Sequence, residues 1–297
     1  MNINMISKLL NFQLFNTSIF VFVYYNMIGT HINSELDKLL DESNRVYKSG
    51  GQIIQMFVNL DPDKTKTIYN KLNQLLIDLG MKCIIHISYT INCSQNWDNY
   101  SWWIKQFIIE IEQANKLNAL AVVVHLGKQL DLTIEEAINN MYMSLLYVHN
   151  QTKKYQSVKI LIETSTGQGS EICYNMENLA HFYNKLSKHK NEEVRNRFGI
   201  CLDTCHIFSA GYDISTVPKC KIYLDTFNKL IGLEHIKLIH LNDSKKEVGS
   251  HVDRHENIGK GFIGKKSLVY FCKLFHRLEV PIILEVSDSS NGIKLCY

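Results

Sequence analysis

Twelve histidines are spread through the 297 residues of this chain, and several of them close a short apolar run. His31 follows Ile28-Gly29-Thr30, His86 follows Cys83-Ile84-Ile85, His125 follows Ala121-Val122-Val123-Val124, and His240 follows Leu238-Ile239. Carboxylates close other runs of the same kind: Glu163 after Ile160-Leu161-Ile162, Asp203 after Ile200-Cys201-Leu202, and Glu285 after Ile282-Ile283-Leu284. One histidine at such a place is ordinarily a hydrogen-bonded structural residue. A whole series is another matter, because burying so many ionisable groups together without compensation costs several kcal/mol each. A cation, or several, offsets that cost.

Two further groups join the series. His206 follows Asp203 by three residues, so a turn after the apolar run brings both side chains to one cavity. Asp253-Arg254-His255 places an acid and an imidazole two residues apart, on the same side of an extended segment. Imidazoles and carboxylates without an evident thiolate favour zinc, then manganese or iron, over magnesium or calcium. His86, His125, Glu163, Asp203, His206, His240, Asp253, His255 and Glu285 are too many for one tetrahedral ion and suit a cluster.

The apolar runs must be positioned by a scaffold. They are short and rich in β-branched residues at Met27–Ile32, Ile53–Val58, Cys83–Ile87, Leu120–Leu126, Val158–Ile162, Phe198–Leu202, Ile236–Leu241 and Pro281–Val286. Segments with helical spacing lie between them, as at Asp63–Leu79, Trp102–Leu117, Thr133–Asn150 and Lys265–Leu278. That alternation predicts an α/β fold, a (β/α)8 TIM barrel, in which loops after the C-terminal strand ends form the active face. The stretch from Asp243 to Gly264 reads as one long loop, a length that points to function. After Glu285 the stretch Ser287–Gly292 reads as loop, which predicts a shortened C-terminal helix and an open apolar groove beside the first and last strands.

Composition agrees. Hydrophobic residues make up 45% and charged residues 21%, which excludes disorder. A net charge of +3 is too mild for a protein that grips nucleic acid by charge alone. Eight cysteines at irregular spacing, with no CxxC pair, read as reduced and partly buried, so the protein is expected to be intracellular, in cytoplasm or nucleus, and not secreted. Leu9 to Ile28 is apolar but interrupted by Asn11, Gln13, Asn16, Thr17, Ser18 and Asn26, which disfavours a spanning helix. Residues 1–25 are therefore read as an extension packed on a barrel domain of residues 26–297, covering the groove beside the last strand.

The stretches Gly199-Ile-Cys-Leu-Asp-Thr-Cys-His206 and His240-Leu-Asn-Asp-Ser-Lys-Lys-Glu-Val-Gly-Ser-His-Val-Asp-Arg-His255 carry a resemblance. With support from Ile28–His31, His86–Asn92, Val124–Gly127, Leu161–Gly169 and Ile283–Glu285, the chain resembles endonuclease IV, the zinc-dependent apurinic/apyrimidinic endonucleases of base excision repair. The resemblance implies three zinc ions, with Mn2+ as a substitute. His86, His125 and Glu163 would hold the first. Glu163 would bridge to the second, completed by Asp203, His240 and Glu285. The third falls to His206, Asp253 and His255. His31 stands outside the ligand set and supports it.

The implied reaction is hydrolysis of the phosphodiester 5′ to an abasic site, leaving a 3′-hydroxyl and a 5′-deoxyribose phosphate, with removal of blocked 3′ ends at the same site. Glu163 and Glu285 are the implied catalytic carboxylates. Double-stranded DNA is the implied partner, met by a monomer with no obligate protein partner. Tyr89 matches a family tyrosine that enters the damaged duplex, whereas Thr90 replaces a large apolar residue and Asn59–Lys64 lacks an arginine, so the wedge is weaker or different. Lys245, Lys246, Arg254 and Lys260 add phosphate contacts. Trp97, Trp102 and Trp103 read as core in preference to a stacking surface. Two other readings compete: a metal-dependent sugar isomerase or epimerase on the same barrel, and a non-catalytic DNA-binding descendant.

Overall fold

The computed structural model describes residues 27–295, and the extension expected at residues 1–25 lies outside the described residues. The chain alternates strand and helix. It runs β1 (Ile28–His31), α1 (Leu39–Lys48), β2 (Ile53–Met56), α2 (Pro62–Asp78), β3 (Lys82–His86), α3 (Trp102–Lys116), β4 (Ala121–His125) and α4 (Ile134–Gln151). It continues through β5 (Lys159–Glu163), α5 (Met176–Ser187), α6 (Glu192–Arg197), β6 (Phe198–Asp203), α7 (Thr204–Ser209), α8 (Val217–Leu230) and β7 (Ile236–His240). The short strands β8 (Asp243–Ser244) and β9 (His255–Glu256), α9 (Lys265–Arg277), β10 (Ile282–Leu284) and α10 (Ser289–Leu295) complete it. The parallel strands close into a barrel in the order β1-β10-β7-β6-β5-β4-β3-β2. This is the expected (β/α)8 TIM barrel.

Local chemistry sets several helix starts. Asp61 caps α2 by accepting from the Asp63 and Lys64 amides, and Thr133 with Glu136 forms a reciprocal capping box at α4. Each such cap is worth about 1 kcal/mol. Close approach of backbones matters once in the sheet itself: a Cβ on Gly29 would stand 1.5 Å from the Ile53 carbonyl oxygen, so only glycine lets β1 seat against β2.

Two cores result. The larger lies between strands and helices, with Leu72, Phe107, Phe182, Phe227, Phe271 and Phe275 among its fully buried members. The smaller fills the barrel interior with Ile53, Ile84, Ala121, Val123, Leu161, Cys201, Leu238 and Ile283. Side chains on a strand alternate between faces. Two residues beyond Ile53, Ile84, Val123, Leu161, Cys201, Leu238 and Ile283 stand Gln55, His86, His125, Glu163, Asp203, His240 and Glu285, which therefore crowd the C-terminal mouth.

Two expectations about loops need correction. The shortened C-terminal helix is present as α10, but it begins at Ser289, inside the stretch read as loop, and packs against β1 and β10 with Ile293 buried. Tertiary packing outweighs low helix propensity here: Ile293 is buried, and Gly292 packs so closely that a Cβ would lie 2.7 Å from the Leu284 side chain. The seventh loop is not structureless either: β8 and β9 pair antiparallel, Asp243 opposite Glu256 and Ser244 opposite His255. Among the described residues the seven cysteines are buried and unbridged, and no helix is long and apolar enough to cross a membrane.

Candidate metal centre

Glu163, at the end of β5, is the centre of the mouth. Its Oε1 lies 2.7 Å from His240 Nδ1, while Oε2 lies 3.2 Å from His125 Nδ1 and 3.4 Å from His86 Nε2. His240 Nδ1 is also 3.2 Å from Glu285 Oε2 and 3.8 Å from Asp203 Oδ2. On the far side Asp253 divides its oxygens, Oδ2 at 3.3 Å from His206 Nε2 and Oδ1 at 3.1 Å from His255 Nε2. The donor atoms fall into sets within 4.8 Å of one another: His86, His125 and Glu163; Glu163, Asp203, His240 and Glu285; His206, Asp253 and His255. All nine residues named from the sequence as candidate ligands are thus brought together.

The donors fit cations. Glu163 Oε2, His206 Nε2 and His255 Nε2 are buried and have no hydrogen-bond partner, which is costly for polar atoms unless something binds them. Burial depresses His240, yet Glu285 and Glu163 outweigh it and lift the imidazole to about 9. His255 is likewise depressed by burial and carried up to about 9 by Asp203 and Asp253, and His206 is raised well above its ordinary value against the same opposition. Burial opposes the charge of Glu163, but His125 and His240 hold it well below the usual carboxylate range. Protons here supply positive charge that metal ions would replace. Cys201 and Cys205 stand near two of the sets, but burial raises Cys201 well above a normal thiol and pushes Cys205 up to about 12. The nine residues named from the sequence offer imidazole and carboxylate donors.

Supporting contacts orient the donors. The Nδ1 atoms of His86 and His206 face the carbonyls of Ile87 at 2.8 Å and Thr164 at 2.7 Å, and donating there leaves each Nε2 lone pair for the cavity. Asn242 donates to Asp203 Oδ2 at 2.7 Å, and its Oδ1 accepts the Glu285 amide at 2.9 Å. His31 lies beside Glu285, with Nδ1 3.4 Å from Oε1, and burial lowers its pKa.

The seventh loop is organised by Asp243, a residue that sequence reasoning missed. Its fully buried carboxylate accepts from the backbone amides of Ser244, Gly259, Gly261, Ile263 and Gly264. A Cβ at Gly261 would meet that carboxylate at 2.7 Å and the Ser244 carbonyl oxygen at 2.3 Å, so the turn demands glycine. Four glycines after an aspartate at a strand end were the available signal. Gln55, fully buried on β2 between His31, His240 and Glu285, was also missed. Its signal was a lone polar residue at inward parity in an apolar run.

Residues expected to meet DNA lie around this mouth. Tyr89 is 77% exposed and edge-on to Phe57, on a loop whose Ser88 amide is held by buried Glu110 at 3.0 Å. Lys245 and Arg254 are exposed and face each other across the β8–β9 hairpin, the Lys245 amide donating to the Arg254 carbonyl at 2.9 Å. Lys246 and Lys260 are exposed on the same loop. Of the tryptophans, Trp103 is buried, Trp97 packs on Tyr147, and Trp102 is exposed, so the core reading applies to two of them.

A cavity of about 400 Å³ opens over the donors, lined by His31, Phe57, His86, Tyr89, His125, Glu163, His206, Asp253, His255 and Glu285. A larger one, about 540 Å³, opens at the opposite end of the barrel among Lys159, Lys237 and Arg195, away from the donor sets. Residues 44–294 match the xylose isomerase-like TIM barrel family. A probable endonuclease 4 of Mycoplasmopsis agalactiae is 38% identical over 208 residues, 70% of either chain, and one of Nitrosopumilus maritimus is 31% identical over 267 residues, 87% of this chain and 92% of the other. The chain belongs to the endonuclease IV family. The fold of this endonuclease IV relative superposes on endonuclease IV from Thermus thermophilus with a TM-score of 0.72 at 23% identity, covering 91% and 96% of the two chains. A D-tagatose 3-epimerase-like protein shares the barrel at a TM-score of 0.65 and 16% identity, covering 90% and 95%.

Proposed function

We propose that this chain is a zinc-dependent DNA repair endonuclease that hydrolyses the phosphodiester 5′ to an abasic site and also clears blocked 3′ ends. The observation that carries the reading is the sharing of Glu163 between two donor sets, with a third set of His206, Asp253 and His255 beside them. Glu163 would be shared by two ions, Asp203, His240 and Glu285 would hold the second with it, and manganese would be an acceptable substitute. Phosphodiester hydrolysis needs a deprotonated water, neutralised phosphate charge and a stabilised leaving oxygen, and bound zinc supplies this chemistry.

The chain's own residues do the rest. Glu163 and Glu285, both held in the ionised form, set the local charge that three cations must balance. Asp243 fixes the loop that carries Asp253 and His255. Tyr89 stands exposed at the rim, available to enter a duplex, while Lys245 and Arg254 offer phosphate contacts that position DNA without reading its sequence. The substrate is double-stranded DNA, and nothing in this scheme requires a second protein. The third donor set favours this reading over a sugar epimerase, which needs fewer ions.

The test is incubation of the zinc-loaded protein with a duplex bearing one abasic site, end-labelled on either strand. Cleavage 5′ to the lesion, a 3′-hydroxyl that a polymerase extends, and loss of activity on chelation are expected. An intact duplex, together with interconversion of ketose epimers, would establish the epimerase instead.

A further inference from the structure

We propose that Gln55 is a positioning residue that sets the tautomer of His240 and so decides which ring nitrogen faces the second cation. The proposal rests on the metal reading above. Strand β2 alone lacks an ionisable residue at its C-terminal mouth, and Gln55 occupies the inward place, fully buried. Its amide nitrogen lies 2.7 Å from Glu285 Oε1 and 3.0 Å from His31 Nδ1, and its amide oxygen lies 2.8 Å from His240 Nε2.

The orientation of this amide follows from donor and acceptor chemistry. An ionised carboxylate only accepts, so the NH2 group must face Glu285. The carbonyl oxygen is thereby turned to His240, and since it cannot donate, His240 must carry its proton on Nε2. With a cation in place of its second proton, the imidazole would have one N–H, held on Nε2, and would offer the Nδ1 lone pair. Nδ1 is the atom within 2.7 to 3.8 Å of Glu163, Glu285 and Asp203, the carboxylates assigned to the second ion. The second amide hydrogen of Gln55 meets His31 Nδ1, which occupies that lone pair and keeps His31 out of the ligand set. One neutral side chain thus couples three ionisable residues from β1, β7 and the end of β10 without adding charge.

The experiment uses the full chain with ring-15N histidine, loaded with zinc, and reads the His240 tautomer from long-range 1H–15N correlations while metal analysis and chelator competition report zinc content and affinity. The parent should show a protonated Nε2 and a metal-bound Nδ1 at His240. Gln55→Met, similar in volume but without the acceptor, should lose that signature and weaken one zinc by about 10- to 100-fold. Gln55→Glu keeps an acceptor and should retain the protonated Nε2. A parent that binds zinc and cleaves abasic DNA while His240 coordinates through Nε2 overturns this proposal alone. So does a Gln55→Met protein with unchanged tautomer and affinity. A parent that takes up no zinc overturns both this and the functional reading, and if Gln55→Met fails to fold, the parent spectrum and Gln55→Glu still decide.

Discussion

Nδ1 of His240, at the end of β7, lies 2.7 Å from Oε1 of Glu163, at the end of β5, across the intervening strand β6. The contact joins residues 77 apart in sequence, and neither side chain is more than 1% exposed. Parallel register staggers them: Glu163 pairs with Cys201 and Cys201 with Leu238, so His240 stands two residues further along its strand, level with Asp203, and the contact runs obliquely across the mouth. The same carboxylate turns its other oxygen to His86 and His125.

Removing the charge of Glu163 should therefore disable two donor sets together. For Glu163→Gln, zinc content is expected to fall from roughly three ions to about one, with cleavage reduced at least about 100-fold and DNA affinity much less affected. Elemental analysis and single-turnover cleavage check this. Retention of all the metal with normal turnover would show that Glu163 is not a bridge.

Asp243 should govern the third set without touching it. Asp243→Ala leaves five backbone amides without their acceptor, and the protein should lose about 3 kcal/mol of stability. Zinc at His206, Asp253 and His255 should be lost first, since the loop bearing two of them is released. Denaturant unfolding and metal analysis separate the two effects.

His149 predicts acid sensitivity unrelated to catalysis. It is buried on α4, neither ring nitrogen has a hydrogen-bond partner, and burial followed by the Arg197 and Lys153 charges pushes its pKa down to about 4. An unfolded histidine titrates near about 6.5. The unfolded chain thus binds the proton first, so this contribution is complete above that value and is lost as pH falls toward about 4. In His149→Phe the fall in unfolding temperature across that window should be smaller than in the parent. An identical profile would assign the acid sensitivity elsewhere.

Tyr89 is exposed where a duplex would meet the mouth, and Thr90 beside it offers little apolar bulk. Tyr89→Ala is expected to reduce the preference for abasic over intact duplex by about tenfold, an aromatic stacking contact being worth about 1–3 kcal/mol. Thr90→Leu should increase that preference. Competition binding with both duplexes measures it, and equal preferences in all three proteins would place recognition on other loops.

The alternation of apolar runs with helical segments was enough to predict the barrel, because parity along a strand is a local property. Each of the eight strands lies within two residues of its expected place, and the nine candidate ligands that the structure brings together could be named from their position after an apolar run or from short spacing. The grouping of donors around Glu163 needed the resemblance at the level of sequence. In space it depends on strand register, which no local pattern states. Gln55 and Asp243 left only faint local signals for the same reason. An uncharged glutamine inside an apolar run and an aspartate before a loop carry no distinctive type, and their roles arise from partners on strands and turns distant in sequence. The helix at Ser289–Leu295 shows the limit most directly: its serines and glycine disfavour a helix by themselves, and the close packing of Gly292 on Leu284 and the burial of Ile293 are tertiary contacts that the local sequence does not state.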